Sequence, residues 1–473
     1  MKLVRHLLVF LILTTSENLV LAQDNLMLFH HTELQQSALL ANPAQLPMAR
    51  INVAVAPLFL PFPAPGIALR ISNTSFRLND IFSSGTDGNR EINWIKLLEN
   101  SNSENRVAGG FRLDLLALSF RAGERSAFNL SLSNRAEGQF RFSGNLIALL
   151  VEGNLQDALL NTQQDLELDA DFQHFTELGI GFTRELVPGK LSIGTRTKYL
   201  IGQENIRTAQ SALSVIADAE NGQFTASADV DILSAGLDGS GIGRDGFSWT
   251  NYLMNTGNTG FSVDFGAQIR FSEHWTASLA ANDLGSIQWR SGIRNLTGDL
   301  PYTELNLADV NIEAYLNDTT GMEAAFAQTL DSLSGLMDLE ENQQSYSSTL
   351  PSTYSIGTQV QIGNNHQFSA VVQARTYKGL MTPSASIAYR ANLGRWLYGS
   401  LSWTMLQKNM NNIGLGITIN PGFCQWYIMT DNIGGLLAID RYKGVWIPTG
   451  SRHSNIRLGF NLTFGKPDKA EPR

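Results

Sequence analysis

Cysteine is nearly missing from this chain: Cys424 stands alone in 473 residues, so no intramolecular disulfide framework is available. Charge is scarce as well. Only 16% of residues are charged while 43% are hydrophobic, against about a quarter charged in ordinary soluble domains. So few charges cover a water-facing surface of this size poorly, and a lipid-facing band accounts for the deficit. Long apolar runs are also lacking. The nearest candidate for a membrane helix, 51–69, contains Pro57, Pro61, Pro63 and Pro65, which a helix interior does not accommodate. A helical membrane protein is therefore excluded.

The signatures of chemistry are missing too. There is no His-Glu-x-x-His, no Gly-x-Ser-x-Gly elbow and no phosphate-binding loop. The seven histidines show no paired metal spacing, and His30-His31 falls in an irregular N-terminal stretch. Lysine and arginine are scattered without a basic patch, and the net charge is -9, which excludes a nucleic-acid partner. No cofactor, metal or catalytic constellation is expected, and the protein reads as a non-enzyme.

What the chain has instead is alternation. In the segment 456–464, Ile456, Leu458, Phe460, Leu462 and Phe464 share one face, and Arg457, Gly459, Asn461 and Thr463 the other. The same two-faced pattern recurs from residue 111 onwards and is densest after 385, where Ile413, Leu415, Ile417 and Ile419 oppose Gly414, Gly416 and Thr418. Short turn-forming connections such as Gly363-Asn364-Asn365 join neighbouring segments as hairpins. Alternation with little charge predicts an all-β transmembrane antiparallel barrel over residues 51–464, of about 14 strands within a range of about 12 to 16. Trp275, Trp289, Trp396, Trp403 and Trp426 near strand ends suit interfacial girdles.

The ends of the chain read differently. Lys2 and Arg5, a short apolar core from Leu7 to Leu13 and Val20-Leu21-Ala22 make residues 1–22 an export signal peptide. Its removal takes Lys2, Arg5 and Glu17, leaving the remainder one unit more negative. Residues 23–50 are irregular, with a rigid turn at Asn42-Pro43-Ala44, and 465–473 form a polar tail. Two stretches shift to a helical period: 146–160, with Leu146, Leu149 and Leu150, and 322–337, with Met322, Phe326 and Leu330. Each either covers apolar surface or borders a ligand groove. Gly241-Ile242-Gly243-Arg244-Asp245-Gly246 has dinucleotide-type glycine spacing but no following helix signal, so it reads as a loop. Asp165, Glu167, Asp169 and Asp171 alternate on one strand face, where they either hold a cation or face water.

Several stretches together resemble the outer-membrane barrels grouped as domain of unknown function 5723. They include Asn42-Pro43-Ala44, Glu177-Leu178-Gly179-Ile180-Gly181-Phe182, Gly260-Phe261-Ser262-Val263-Asp264-Phe265-Gly266, Asn282-Asp283-Leu284-Gly285 and the closing strand. The resemblance covers nearly the whole chain after residue 22. It implies the cell outer membrane and a barrel, and carries over no active residues. A more distant similarity runs to fatty-acid-transporter-type barrels, which also have Asn-Pro-Ala near the mature N-terminus. It implies a plug-like role for residues 23–50, with Asn42, Pro43 and Ala44 as the plug turn. A likeness to the cargo-shuttling barrel of the type IX secretion system is architectural.

The expected function is passive: a channel or uptake route for a small, hydrophobic solute. The alternative is a non-conducting structural or accessory barrel that docks a periplasmic or surface partner. The expected surroundings are outer-membrane lipid and the barrel-assembly machinery. Arg375, Arg390 and Arg457 are the candidate lumen-facing residues. A channel places them against open water; a docking barrel pairs them with carboxylates that fill the interior.

Overall fold

The computed structural model describes residues 27–31, 40–55, 66–84, 90–152, 163–166, 168–218, 223–237, 257–305, 339–378, 380–394, 396–406, 409–437, 439–442, 445–448 and 450–465. The signal peptide, the helix expected over 322–337, the glycine-rich loop at 241–246, Glu167 and the tail beyond Gly465 lie outside them.

The wall is a closed antiparallel barrel of 14 strands. We number them β1 (Ile51–Val55, continued by Gly66–Asn73), β2 (Glu104–Ala122), β3 (Ser126–Ser143), β4 (Leu168–Val187) and β5 (Leu191–Asp218). Then follow β6 (Asn258–Arg270), β7 (Trp275–Trp289), β8 (Tyr346–Thr349, continued by Ser352–Ile362), β9 (His366–Tyr377) and β10 (Leu380–Asn392). The last four are β11 (Leu397–Leu406), β12 (Asn409–Ile419), β13 (Cys424–Thr430) and β14 (His453–Phe464). Each pairs with its neighbour in sequence, and β14 closes the circle on β1 with Ile51 opposite Phe464 and Ile67 opposite Leu458. Closure leaves the wall without the open edge that lipid does not tolerate.

Burial runs inside out. On β14 the polar face of Arg457, Asn461 and Thr463 is buried, whereas Phe464 is exposed. On β12 the exposed side chains are Ile413, Leu415 and Ile417. Ile180 on β4 is 61% exposed and Phe261 on β6 62%. Large apolar groups outside and packed polar groups inside are what a hydrocarbon surround selects, since only there does exposure of isoleucine and phenylalanine carry no penalty. The protein is accordingly an outer-membrane barrel. Trp275, Trp396, Trp403 and Trp426 join this exterior. Trp289 does not: it is fully buried on the lumen side, where its indole N–H donates to Ser348 Oγ at 2.9 Å.

The two rims differ. At one end short turns close the hairpins at 123–125, 188–190, 271–274, 363–365, 393–396 and 420–423, and this rim takes the periplasmic side. At the other end β2 to β5 run on for 19, 18, 20 and 28 residues, well beyond the roughly 9–11 that cross a bilayer. The upper part of β5 continues the sheet through two further strands, Gln223–Ala235 and Asn295–Leu305. Between β3 and β4 a helix, α1 (Gly144–Glu152), starts where Ser143 Oγ accepts the Leu146 amide at 3.1 Å. Leu146 and Ile147 pack with Phe142, Leu166 and Val215 in an apolar cluster above the bilayer. This is the helical period expected from 146 onwards, here covering apolar surface; 153–160 lie outside the described residues.

Candidate functional site: the filled lumen

The lumen is filled from the periplasmic rim upwards. Residues 40–50 lead into β1, and Pro47 O and Arg50 O accept hydrogen bonds from Arg121 Nη1 (3.3 Å) and the Arg121 amide (2.8 Å). Above that anchor sits the Asn42-Pro43-Ala44 turn. Asn42 Oδ1 accepts the Ala44 amide at 2.9 Å, closing an Asx turn, and its Nδ2 donates to Leu279 O at 3.3 Å. The wall grips the turn through Thr183 Oγ1 to Pro43 O (2.6 Å), Ser192 Oγ to Ala44 O (2.8 Å) and Asn282 Nδ2 to Ala41 O (3.0 Å). Two glycines make the seat. A Cβ on Gly194 would stand 1.9 Å from Pro43 O, and one on Gly266 2.1 Å from Asn42 Oδ1.

A second piece of the N-terminal segment, the short helix Met27–His30, lies against β10 to β13. The Met27 and Leu28 amides donate to the two oxygens of Asp431 at 2.7 and 2.8 Å. Leu28 and Phe29 pack with Tyr427 and Met429, and Arg457 lies over the Phe29 ring at 4.3 Å.

Beside and above this segment runs one continuous ion-pair network. Arg457 binds Asp114 (2.9 Å), Asp114 binds Arg112 (2.8 Å), and Arg112 binds Glu177 (2.8 Å). Glu177 reaches Arg135 (3.0 Å), from which two branches leave. One passes through Glu137 (2.5 Å) to Arg375 (2.5 Å). The other passes through Asp283 (3.0 Å) to Lys198 (2.5 Å), Asp264 (2.7 Å) and Arg196 (2.5 Å). Arg375 on β9 and Glu137 on β3 have five strands between them along the wall, so that pair crosses the lumen.

The network depends on one irregularity. A β-bulge on β7 turns both Asn282 and Asp283 inward, with Asp283 at φ 61°, a left-handed conformation that aspartate tolerates better than most residues. One of the pair holds the plug-like turn and the other holds Arg135 and Lys198. Further out lies a buried apolar cluster of Phe175, Leu200, Ile287, Trp289 and Leu350. Beyond it Lys378 and Tyr377, at the β9–β10 turn, meet Asp169 and Asp171 of β4. Arg141 also pairs with Asp169. These two carboxylates thus face cationic side chains of the protein itself, and among the described residues no three metal-binding side chains come together.

Arg375 and Arg457 are buried and carboxylate-bound, so in this state neither lines open water. Arg390 is half-buried on β10. The carboxylate partners, and Lys198, Arg135 and Arg112 with them, escape sequence reasoning. Their one visible signal is a charged residue at alternate positions within an otherwise apolar or glycine-rich strand. Among the described residues small cavities remain, one of about 40 Å³ between Phe29, Asn282 and the network and one of about 40 Å³ beside Asn42, Gln268 and Ser278.

The family model described as "Family of unknown function (DUF5723)" matches residues 53–431. The chain belongs to this family. No curated protein matches it. Among solved structures, this DUF5723 protein is similar to a mutant of the TodX monoaromatic hydrocarbon channel, at 10% identity, covering 91% of this chain and 94% of that one with a TM-score of 0.43. It is also similar to the Ralstonia pickettii toluene transporter TbuX, at 8% identity, 90% and 93% coverage and TM-score 0.41. A Pseudomonas aeruginosa FadL homologue stands at 8% identity, 91% and 94% coverage and TM-score 0.41.

Proposed function

We propose that the protein is a gated outer-membrane route for a small apolar solute, closed in its resting state by the N-terminal segment. The observation that carries this reading is how the lumen is closed. The obstruction at the periplasmic end is a separate stretch of chain held by a few hydrogen bonds and seated on two glycines, not an extension of the wall. Such a seat releases its occupant without breaking any strand pairing. The apolar cluster just outside the ion-pair network is fully buried in this closed state, and opening of the lumen would turn it into the apolar lining a hydrophobic solute requires. Solute, outer-membrane lipid and, during insertion, the barrel-assembly machinery are the partners of this reading.

A second reading, a non-conducting barrel that docks a protein partner, is favoured by the cross-lumen pair Arg375–Glu137, since a static interior has every reason to be ion-paired. Single-channel conductance in planar bilayers separates the two. Comparison is between the intact protein and a variant lacking residues 24–46, which keeps the Pro47 and Arg50 anchors. The gated route gives brief openings in the intact protein, sustained conductance in the variant and faster accumulation of a radiolabelled monoaromatic hydrocarbon by cells carrying it. Silence from both, with both assembled, sinks the route and leaves the docking barrel.

A further inference from the structure

Two motifs of the sequence, Gly260-Phe261-Ser262-Val263-Asp264-Phe265-Gly266 on β6 and Asn282-Asp283-Leu284-Gly285 on β7, lie side by side in the β6–β7 ladder. Val263 pairs with Leu284 and Phe265 with Ala281, so Asn282 and Asp283 together stand opposite Asp264 alone. Such a bulge leaves a residue without its ladder partner, and a buried amide needs an acceptor. Here the Asp283 amide donates to Asp264 Oδ1 at 2.8 Å. Asp264 is fully buried, and Arg196 and Lys198 of β5 reach the same carboxylate at 2.5 and 2.7 Å. On the other flank Ser352 Oγ of β8 donates to Asp283 O at 3.1 Å. Side chains of both neighbouring strands therefore hold the bulge.

We propose that Asp264 is a positioning residue for the N-terminal segment, acting through this bulge. Among the described residues its carboxylate bonds Arg196, Lys198 and the Asp283 amide, and not the segment itself. The bulge it fixes aims Asn282 inward, where Nδ2 holds Ala41 O at 3.0 Å. Without that acceptor the Asp283 amide is left buried and unpaired, and the backbone relieves this by leaving its left-handed φ of 61°. Asn282, one residue away, then turns off Ala41 O. Two residues along β6 from Asp264, Gly266 makes the seat under Asn42. One stretch of β6 thus both seats the turn and, through β7, clasps it. The inference deepens the gated-route reading and rests on the segment being releasable, but it does not require that the barrel conduct.

The test reads release of the segment directly. Full-length protein carrying Cys424→Ala and Ala41→Cys is purified in micelles, and its thiol is labelled with a maleimide-polyethylene glycol and followed by gel shift. Ala41 is buried and lines both small cavities, so the sulfur has room and reacts only when the segment leaves. In this background Asp264→Ala should raise the labelling rate roughly tenfold, the factor that one lost hydrogen bond of ordinary strength gives. Asn282→Ala should do the same. The two together should be no faster than either, because one acts through the other, whereas the effects of Asn282→Ala and Ser192→Ala should multiply. An unchanged rate in an assembled Asp264→Ala barrel overturns the proposal, as does multiplication of the Asp264→Ala and Asn282→Ala effects. If Asn282→Ala and Gly194→Ala both leave the rate unchanged, the releasable segment falls and this inference with it. Should Asp264→Ala fail to assemble, Asp264→Asn and Asp264→Glu decide. The first keeps an acceptor at the same reach without the charge and should label slowly; the second keeps the charge with the acceptor displaced by a methylene and should label fast. Any other order overturns the proposal.

Discussion

Replacing Gly194 with alanine puts a methyl group where Pro43 O already stands. The new Cβ would lie 1.9 Å from that oxygen, 2.3 Å from Pro43 C and 2.8 Å from the Ala44 amide, all backbone atoms with no rotamer to move. The turn must withdraw by more than an ångström, and the bonds from Thr183 Oγ1 (2.6 Å) and Ser192 Oγ (2.8 Å) are lost with it. Two neutral hydrogen bonds contribute about 1–3 kcal/mol together, and overpacking by one methyl destabilises by a similar ~1–3 kcal/mol. Taking either contribution alone, the seated population falls by roughly 5- to 150-fold relative to the released one. The assay is open probability in planar bilayers, with heat-modifiability as the measure of the wall. Gly194→Ala should open the barrel and leave the wall's unfolding temperature close to wild type, since no strand hydrogen bond is touched. Gly394→Ala, in a periplasmic turn with nothing within 4 Å of its Cβ, should do neither. An assembled Gly194→Ala barrel with wild-type open probability would refute the argument that this turn closes the lumen.

Other perturbations address the wall and the network. Leu415→Arg places a guanidinium on an exposed apolar face in the middle of β12; at the bilayer midplane this costs about 2–4 kcal/mol. Refolding yield and urea midpoint should both drop, and unchanged values would place Leu415 off the lipid. Asp283→Asn leaves Lys198 with Asp264 alone and Arg135 with Glu137 and Glu177. Because both cations keep partners, the loss should sit near the lower end of the roughly 3–5 kcal/mol seen when a buried ion pair is broken, read as a urea-midpoint shift. A wild-type midpoint would mean the network carries no stability.

Much of the barrel was legible because strand alternation has a period of 2 and its two environments differ so sharply. Leu415 against Gly416 and Leu458 against Arg457 report their faces without any knowledge of neighbours. The strand count of 14 followed from that repetition. Trp289 shows where the reading fails. Up to Asn282, the even-numbered residues of β7 point inward; the bulge then brings Asp283 in as well, and from there odd-numbered residues face the lumen. An aromatic that looked like part of an interfacial girdle is thereby buried inside. The ion-pair network was hidden for another reason. Its links join residues as far apart as Asp114 and Arg457, and nothing local in either strand specifies the other. The same holds for the seat at Gly194 and Gly266: glycine alternating with apolar residues fits any barrel strand, and only the approach of Asn42 and Pro43 explains these two.

The most direct test of the account is to lock the N-terminal segment in place. With Cys424 replaced by alanine, Ala44→Cys and Ser192→Cys put two thiols at a contact where the Ser192 hydroxyl reaches Ala44 O at 2.8 Å. Conductance and hydrocarbon accumulation are then measured under oxidising and reducing conditions. If the segment is the gate, the oxidised barrel is silent, and reductant restores openings to the level of the unlinked protein. Passage that persists through a fully cross-linked barrel would contradict the account, because the solute would then have a path that does not involve the segment.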